Sequence, residues 1–541
     1  MKRASLATAA LILAPLAAAG PTTTIRRRQE TTTFVSDGNP ILSDGSIYSA
    51  DPAPLVVNDT VYILSGRDEA DATYNDFVIN EWQVFEATSP PDPAGGSSWT
   101  LHQGVARPDE IFAWAAPGSA YAAQIVQGVD GRFYLYAPVR QRDAGGATDA
   151  FAIGVAVSED GPLGPFSDAH PEGPIISQTV PGPGNNGLQN IDPTVLVDDD
   201  DDDDDDDGDG GRVYVYWGSF GNLRGYELSG DDMTTVVESS LVSVSSLTGY
   251  FEAPWLMRRD GTYYMLYAAN NAGPDSPCTP TSYHACIAYG TAPSPLGPWT
   301  FGGIVLDIVS STTSHPGVYA LADGRHFLVY HTRDAAGGTH FRRSVAFDQL
   351  EFDDSTSPPS ILKVTQTHRD DGGGGETEPS RNVAPEAEAA ASIETPIQYW
   401  IQSLNDGRVD ANPLPPDYWC SYAAERSPGT VTLTYTWADG AVALNGASVA
   451  FFADQPAGSD VGVPPPASWY LEYLTVDGSW AEVSVTGSGG YPTAATDEPP
   501  EVSFETVQTT GLRAVLTASG SGSQFGGIGI KEWSALAPEA A

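Results

Sequence analysis

Basic side chains are scarce in this sequence. With 25 Lys and Arg against 70 Asp and Glu the net charge is −45, a field that repels phosphate backbones and anionic lipid and argues against nucleic acid or a membrane as partner. A neutral polymer such as a polysaccharide stays compatible. Cysteine is nearly absent, and three residues cannot build a disulfide framework. Cys278 and Cys286, close together in SPCTPTSYHACIAYG, suit one loop-closing bridge in an oxidising compartment. Cys420, in DYWCSYAA, reads as a buried apolar thiol. Beyond the first twenty residues no stretch approaches the roughly 20 apolar residues that span a bilayer.

Those first residues place Lys2 and Arg3 before ASLATAALILAPLAAAG. Charge, apolar core and small-residue exit in that order predict a signal peptide over 1–20 and a secreted, extracellular protein. Residues 21–34 read as a leader or propeptide, with Arg26, Arg27 and Arg28 as a candidate processing point. At 541 residues two domains are expected. The 57 Gly, 43 Pro, 24 Tyr and 12 Trp combine turn formers with strand-favouring aromatics, which points to an all-β chain.

A repeat organises residues 35–365. Five segments share one plan, an apolar strand, a Gly or Asp turn and a second strand rich in Tyr, Phe, Val and Leu: SADPAPLVVNDTVYILSG, GSAYAAQIVQGVDGRFYLYAPV, NIDPTVLVDD with RVYVYWGSF, YFEAPWLMRRDGTYYMLYAAN and SHPGVYALADGRHFLVYHT. Each is a hairpin signal, and a repeat of this length allows a four-stranded blade with generous loops, so a five-bladed β-propeller is expected. Matching positions at the heads of the inner strands would bring Asp51, Asp192, Glu252 and His315 to one axis. Ten consecutive aspartates, Asp198 to Asp207, lie between the strands of the third hairpin and read as an expanded, solvated turn without a catalytic part. Residues 366–381 read as a glycine-rich linker. From 382 to 541, short strands between Gly, Pro and Ser suggest a β-sandwich with an accessory role. Asn58, in Asn-Asp-Thr, is a glycosylation sequon at the first hairpin turn.

Carboxyl groups on different blades suit glycoside hydrolysis, which needs a proton donor on the leaving oxygen and an opposed carboxylate that activates water or attacks. Asp51 and Glu252 face each other across a funnel in this reading, as an inverting enzyme requires. Glu252 sits between aromatics in YFEAPWL, where desolvation raises a carboxyl's pKa and suits it to be the acid. Asp192 would hold that pKa up by its charge.

The motifs ADPAP, IDPTV, FEAPW and SHPGV, one per blade and in order, resemble glycoside hydrolase family 43 over roughly residues 35 to 365. The resemblance implies Asp51 as general base, Asp192 as pKa modulator and Glu252 as general acid. It further implies that His315 lies near the axis, where a family histidine contacts a central calcium or its waters; a satisfied core histidine is the other reading. Arg342 or Arg343, in FRRSVAFDQL, resembles a fifth-blade arginine near the substrate. GRDEADATYNDFVINEWQVFEATS and FAWAAPGSAYAAQIV look like members acting on arabinose- and xylose-containing polymers, which makes Trp82 and Trp114 candidate pocket walls. Tyr121 stands in AYAAQ where relatives have an aromatic pair such as AWAGQ. The segment NVAPEAEAAAS with IQSLNDGRV resembles a galactose-binding-like β-sandwich. Together these imply a monomeric, exo-acting, inverting enzyme that releases L-arabinofuranose or D-xylose from plant polysaccharide and requires no cofactor. A β-xylosidase or exo-galactanase of the same family, and a non-catalytic carbohydrate-binding propeller, are the alternatives.

Overall fold

The computed structural model describes residues 30–368 and 381–538 apart from short internal stretches, the longest being 145–149, 182–188, 199–210, 270–277, 279–284, 410–417 and 455–461. The residues expected to form the signal peptide, and most of the aspartate run, lie outside the described residues.

Five antiparallel sheets follow one another along the chain, each built outward from an inner strand. The inner strands are Ala50–Val57, Gln124–Gln127, Thr194–Asp198, Tyr250–Arg259 and Gly317–Ala320. Each neighbours the next, and the fifth returns to the first. That closed ring is a five-bladed propeller, blades I to V, and it turns the inner edges of the sheets toward the axis, where they are protected from pairing with another chain.

Blade packing follows from the alternation of side chains along a strand. In Arg212–Trp217 of blade III, Val213, Val215 and Trp217 pack with Tyr136, Ile153 and Val155 of blade II. The intervening Tyr214 and Tyr216 pack with Tyr263, Met265 and Tyr267 of blade IV. Both faces are thus buried, and each fully buried large side chain contributes about 1.5–3 kcal/mol. Blades V and I meet in the same manner through Phe327, Val329 and Phe347 against Val61, Ile63 and Phe85.

Blade V has three strands of its own, Gly317–Ala320, His326–Thr332 and Ser344–Leu350. The segment before blade I runs beside the last of them, with Ile41 N–H donating to Val345 O (2.8 Å) and Ser49 N–H to Arg343 O (2.8 Å). Asn39 fastens this closure: its Nδ2 donates to Phe347 O (2.7 Å) and its Oδ1 accepts from Phe347 N–H (3.0 Å). Residues 30–34, expected in the leader, belong to the fold instead. Glu30–Val35 pairs with Ser98–Ala106 as a fifth strand of blade I, a place that its three consecutive β-branched threonines favour. Asp198, first of the aspartate run, ends its inner strand buried, its carboxylate held by Tyr263 OH (2.5 Å) and Arg258 (3.2 Å). Asn58 and Asp59, both at positive φ (50° and 62°), make the two-residue turn of the first hairpin, the geometry of a tight hairpin loop.

The second unit stacks two five-stranded antiparallel sheets. One contains Gly529–Ala537, Val442–Phe452 and Val502–Thr509; the other contains Thr430–Thr436, Gly511–Thr517 and Ser468–Leu474. Their inner faces share one apolar cluster that includes Trp419, Trp469 and Trp533, and Tyr435 of one sheet stacks on Trp533 of the other at 4.1 Å. This is a β-sandwich. Cys278 and Cys286 form a disulfide. Cys420 is fully buried, and burial pushes its thiol up to about 12, which leaves it inert.

Candidate active site

Five residues at the heads of the inner strands take left-handed backbone: Asp51 (φ 54°), Ser119 (58°), Asp192 (58°), Ala253 (56°) and His315 (43°). Outside glycine this conformation costs about 1–2 kcal/mol, so its recurrence at matching places in all five blades marks a constraint of the axis. The twist turns Asp51, Asp192 and His315 off the strand alternation. Glu252 departs from the expected register: Ala253 occupies the matching position, one residue later. Register shifts on either side of Glu252 form bulges that re-aim its side chain.

A cavity of ≈790 Å³ opens over these strand heads, lined by Asp51, Asp192, Glu252, His315, Arg343 and Tyr121 from the expected set. Phe77, Phe151, Phe220 and Phe251 supply apolar wall, and Arg140, His340, Thr312 and Thr313 supply polar wall. Tyr121 stacks on Phe151 at 4.9 Å. Trp82, Trp114 and Arg342 do not line the cavity. Trp82 is 0 % exposed between blades, its Nε1 donating to Tyr121 O (2.8 Å), so it supports the wall from behind. Trp114 packs on Phe112 at 5.2 Å. Arg342 turns away, donating through Nε to Ala70 O (2.7 Å) and lying over the Tyr48 ring (5.2 Å).

Asp51 is held by three groups. Arg343 Nη1 donates to its Oδ1 (2.8 Å), and His315 Nδ1 and His331 Nδ1 lie 3.6 and 3.5 Å from the same oxygen. Its backbone N–H donates to His331 Nδ1 (3.1 Å), which leaves the imidazole proton on Nε2. Burial alone would raise the Asp51 carboxyl, but Arg343, with the two histidines, outweighs it and holds Asp51 below the ordinary carboxylate value. His315 is pushed down to about 4 by burial, and burial also pushes His331 well below its usual value.

Glu252 is the reverse case. Burial raises its carboxyl, against the pull of Ser219 Oγ donating to Oε2 (2.5 Å) and Thr313 Oγ1 donating to Oε1 (2.9 Å). Asp192 Oδ2 accepts the Ala253 N–H (3.1 Å), and burial together with repulsion from Glu252 pushes Asp192 well above its usual range. Gly218 sets Ser219: at φ 128° it stands in a region essentially restricted to glycine, and a Cβ there would meet Asn222 O at 1.9 Å.

Sequence reasoning missed Asp68, His331, Ser219 and Thr313. Thr313 lies two residues before His315, and Asp68 closes the strand Thr60–Asp68, yet neither carries a motif. Calcium prefers six to eight oxygen ligands, and among the described residues no group of three or more His, Cys, Asp or Glu could hold a metal. Any ion beside His315 would therefore take its shell chiefly from water.

A family model described as glycosyl hydrolases family 43 matches residues 38–357. The chain is 30% identical over 362 residues to a xylosidase/arabinosidase 43A of Humicola insolens, covering 57% of this chain and 95% of that protein. It is 26% identical over 339 residues to a β-D-galactofuranosidase of Aspergillus niger, covering 60% and 85%. Among solved structures, a β-xylosidase/α-arabinofuranosidase from a compost microbial metagenome is 23% identical with a TM-score of 0.47, covering 62% of this chain and 100% of that one.

Proposed function

The chain belongs to glycosyl hydrolases family 43, and from that premise we propose that it is a secreted, exo-acting, inverting glycosidase that releases L-arabinofuranose from arabinoxylan-type polysaccharide. The glycosidase class follows from the family. The reaction rests on one observation: a single cavity is lined by Asp51, whose carboxyl Arg343 grips and holds down, and by Glu252 and Asp192, whose carboxyls burial raises. Glu252 would protonate the leaving oxygen, Asp51 would deprotonate the attacking water, and Asp192 would keep the acid's proton affinity high. The chemistry asks for water and no cofactor. A structural calcium beside His315, with a shell drawn chiefly from water, belongs to the same proposal; metal analysis of the purified protein checks it. The sandwich is read as a sugar-binding or stabilising appendage to a monomer.

The sugar rests on the likeness to the Humicola relative, a xylosidase/arabinosidase. A second reading, β-D-galactofuranose, is favoured by the Aspergillus relative, and both sugars present a five-membered ring. Release of p-nitrophenol from the α-L-arabinofuranoside, β-D-xyloside and β-D-galactofuranoside separates these, and the anomer first formed, followed by NMR, tests inversion. On arabinoxylan, whose sugar leaving group needs a proton, Glu252→Gln and Asp51→Asn should each lower kcat by about 10²–10⁴ with the fold intact. Retention of a tenth of the wild-type rate by either variant rules out the assigned roles.

A further inference from the structure

Arg343 is buried between two carboxylates, and they do not share it equally. Asp68, at the end of the second strand of blade I and with its side chain 0 % exposed, takes three of its hydrogen bonds. Arg343 N–H and Nε donate to Asp68 Oδ2 (2.9 Å each), and Nη2 donates to Oδ1 (2.9 Å). Only Nη1 is left for Asp51, on Oδ1. Asp51 Oδ2 has no hydrogen-bond partner among the described residues.

A guanidinium presents its N–H groups as a rigid planar fork and prefers to grip a carboxylate with two parallel bonds. Facing Asp51 alone in a buried site, it would turn that fork on both oxygens of the general base and occupy one lone pair of each, which lowers the basicity of both toward water. Asp68 occupies the two-pronged edge first. The Phe77 ring, 4.7 Å from the guanidinium carbon, closes one face of the plane against rotation. Asp51 and Asp68 ride on paired strands, with Ala50 opposite Gly66, so one hairpin sets the spacing of both carboxylates.

We infer that Asp68 is a positioning residue: by taking the bidentate edge of Arg343 it restricts the contact with Asp51 to one oxygen and keeps the other open to the attacking water. This rests on the reading of Asp51 as the general base.

The test uses the full-length protein, p-nitrophenyl α-L-arabinofuranoside, or whichever of the three glycosides it cleaves, and sodium azide. Azide needs no deprotonation. Its nitrogen attacks the anomeric carbon, the bond to the leaving oxygen breaks, the acid's proton goes to that oxygen, and a glycosyl azide forms. Asp68→Asn should lower kcat about 10- to 100-fold with KM changed less than threefold, and azide should restore much of the loss, as it should for Asp51→Asn. Arg343→Lys, which keeps a cation but lacks the fork, should show the same rescuable loss and serves if Asp68→Asn does not fold. Wild-type kcat in Asp68→Asn overturns the inference. So does a loss that azide leaves unchanged while it rescues Asp51→Asn, because that pattern is structural damage. If Asp51→Asn itself is neither slow nor rescued, the base assignment has failed instead.

Discussion

A hydroxyl can donate or accept, and Glu252 has two of them, Ser219 and Thr313, one on each carboxylate oxygen. Such partners serve an acid that must exist both with and without its proton. As donors they stabilise the charged form and lower the pKa that burial raises. Thr313→Val keeps the shape and removes one donor, so the Glu252 pKa must rise. In the profile of kcat/KM against pH the basic limb, where the acid loses its proton, should move upward by about half to one unit, since a hydrogen bond is worth roughly 1 kcal/mol and a pKa unit 1.36. The acid limb reports Asp51, held down by Arg343, and should stay in place. A basic limb that moves down contradicts this account. Asp51, Asp192 and Glu252 were legible because each sits in a short motif repeated from blade to blade. Asp68 was not, because the group that gives it meaning lies 275 residues away.

At the level of strands, the hairpins were readable from alternation and turn residues, but their faces were not. In INEWQVFEA the expectation put Trp82 on a sugar pocket; blades bury both faces of a strand, so an aromatic on either face can be core, as Trp82 is. The offset of Glu252 was hidden for a related reason: bulges add a residue without a sequence mark, and only the left-handed Ala253 reveals them. Ring closure was equally silent. Asn39 joins the segment before blade I to blade V by pairing both backbone groups of Phe347, and its Nδ2 also donates to Thr367 Oγ1 (2.8 Å). Asn39→Ala leaves those buried groups unpaired and should cost about 2–4 kcal/mol. Urea unfolding followed by tryptophan fluorescence measures this, and a loss under 1 kcal/mol would mean that the apolar contacts between blades V and I close the ring unaided.

On the scale of the molecule, composition alone separated the propeller from the sandwich, at a stretch of glycine and charge between 366 and 381. How the two meet could not be read, because the contact joins residues with nothing in common along the chain. Arg333, one of only 25 Lys and Arg and 2 % exposed, follows the middle strand of blade V. Its guanidinium pairs with Asp406 and lies 4.3 Å over the Trp400 ring, both in the second unit. Seven and ten residues on, the same connection delivers His340 and Arg343 to the cavity, so the sandwich braces a loop that also builds the site. Breaking a buried ion pair on one side leaves the other charge without compensation, at a cost of about 3–5 kcal/mol, and here the loss falls on the joint between the units. The wild-type protein should therefore unfold in one calorimetric transition, and Arg333→Ala in two. Below the first of these, hydrolysis of a small aryl glycoside by Arg333→Ala should stay within about threefold of wild type, since Asp68 still fixes Arg343 from the blade I side. A single unshifted transition in the variant would show that Arg333 couples nothing. Two transitions with turnover abolished would show that the sandwich holds the loop in its working shape.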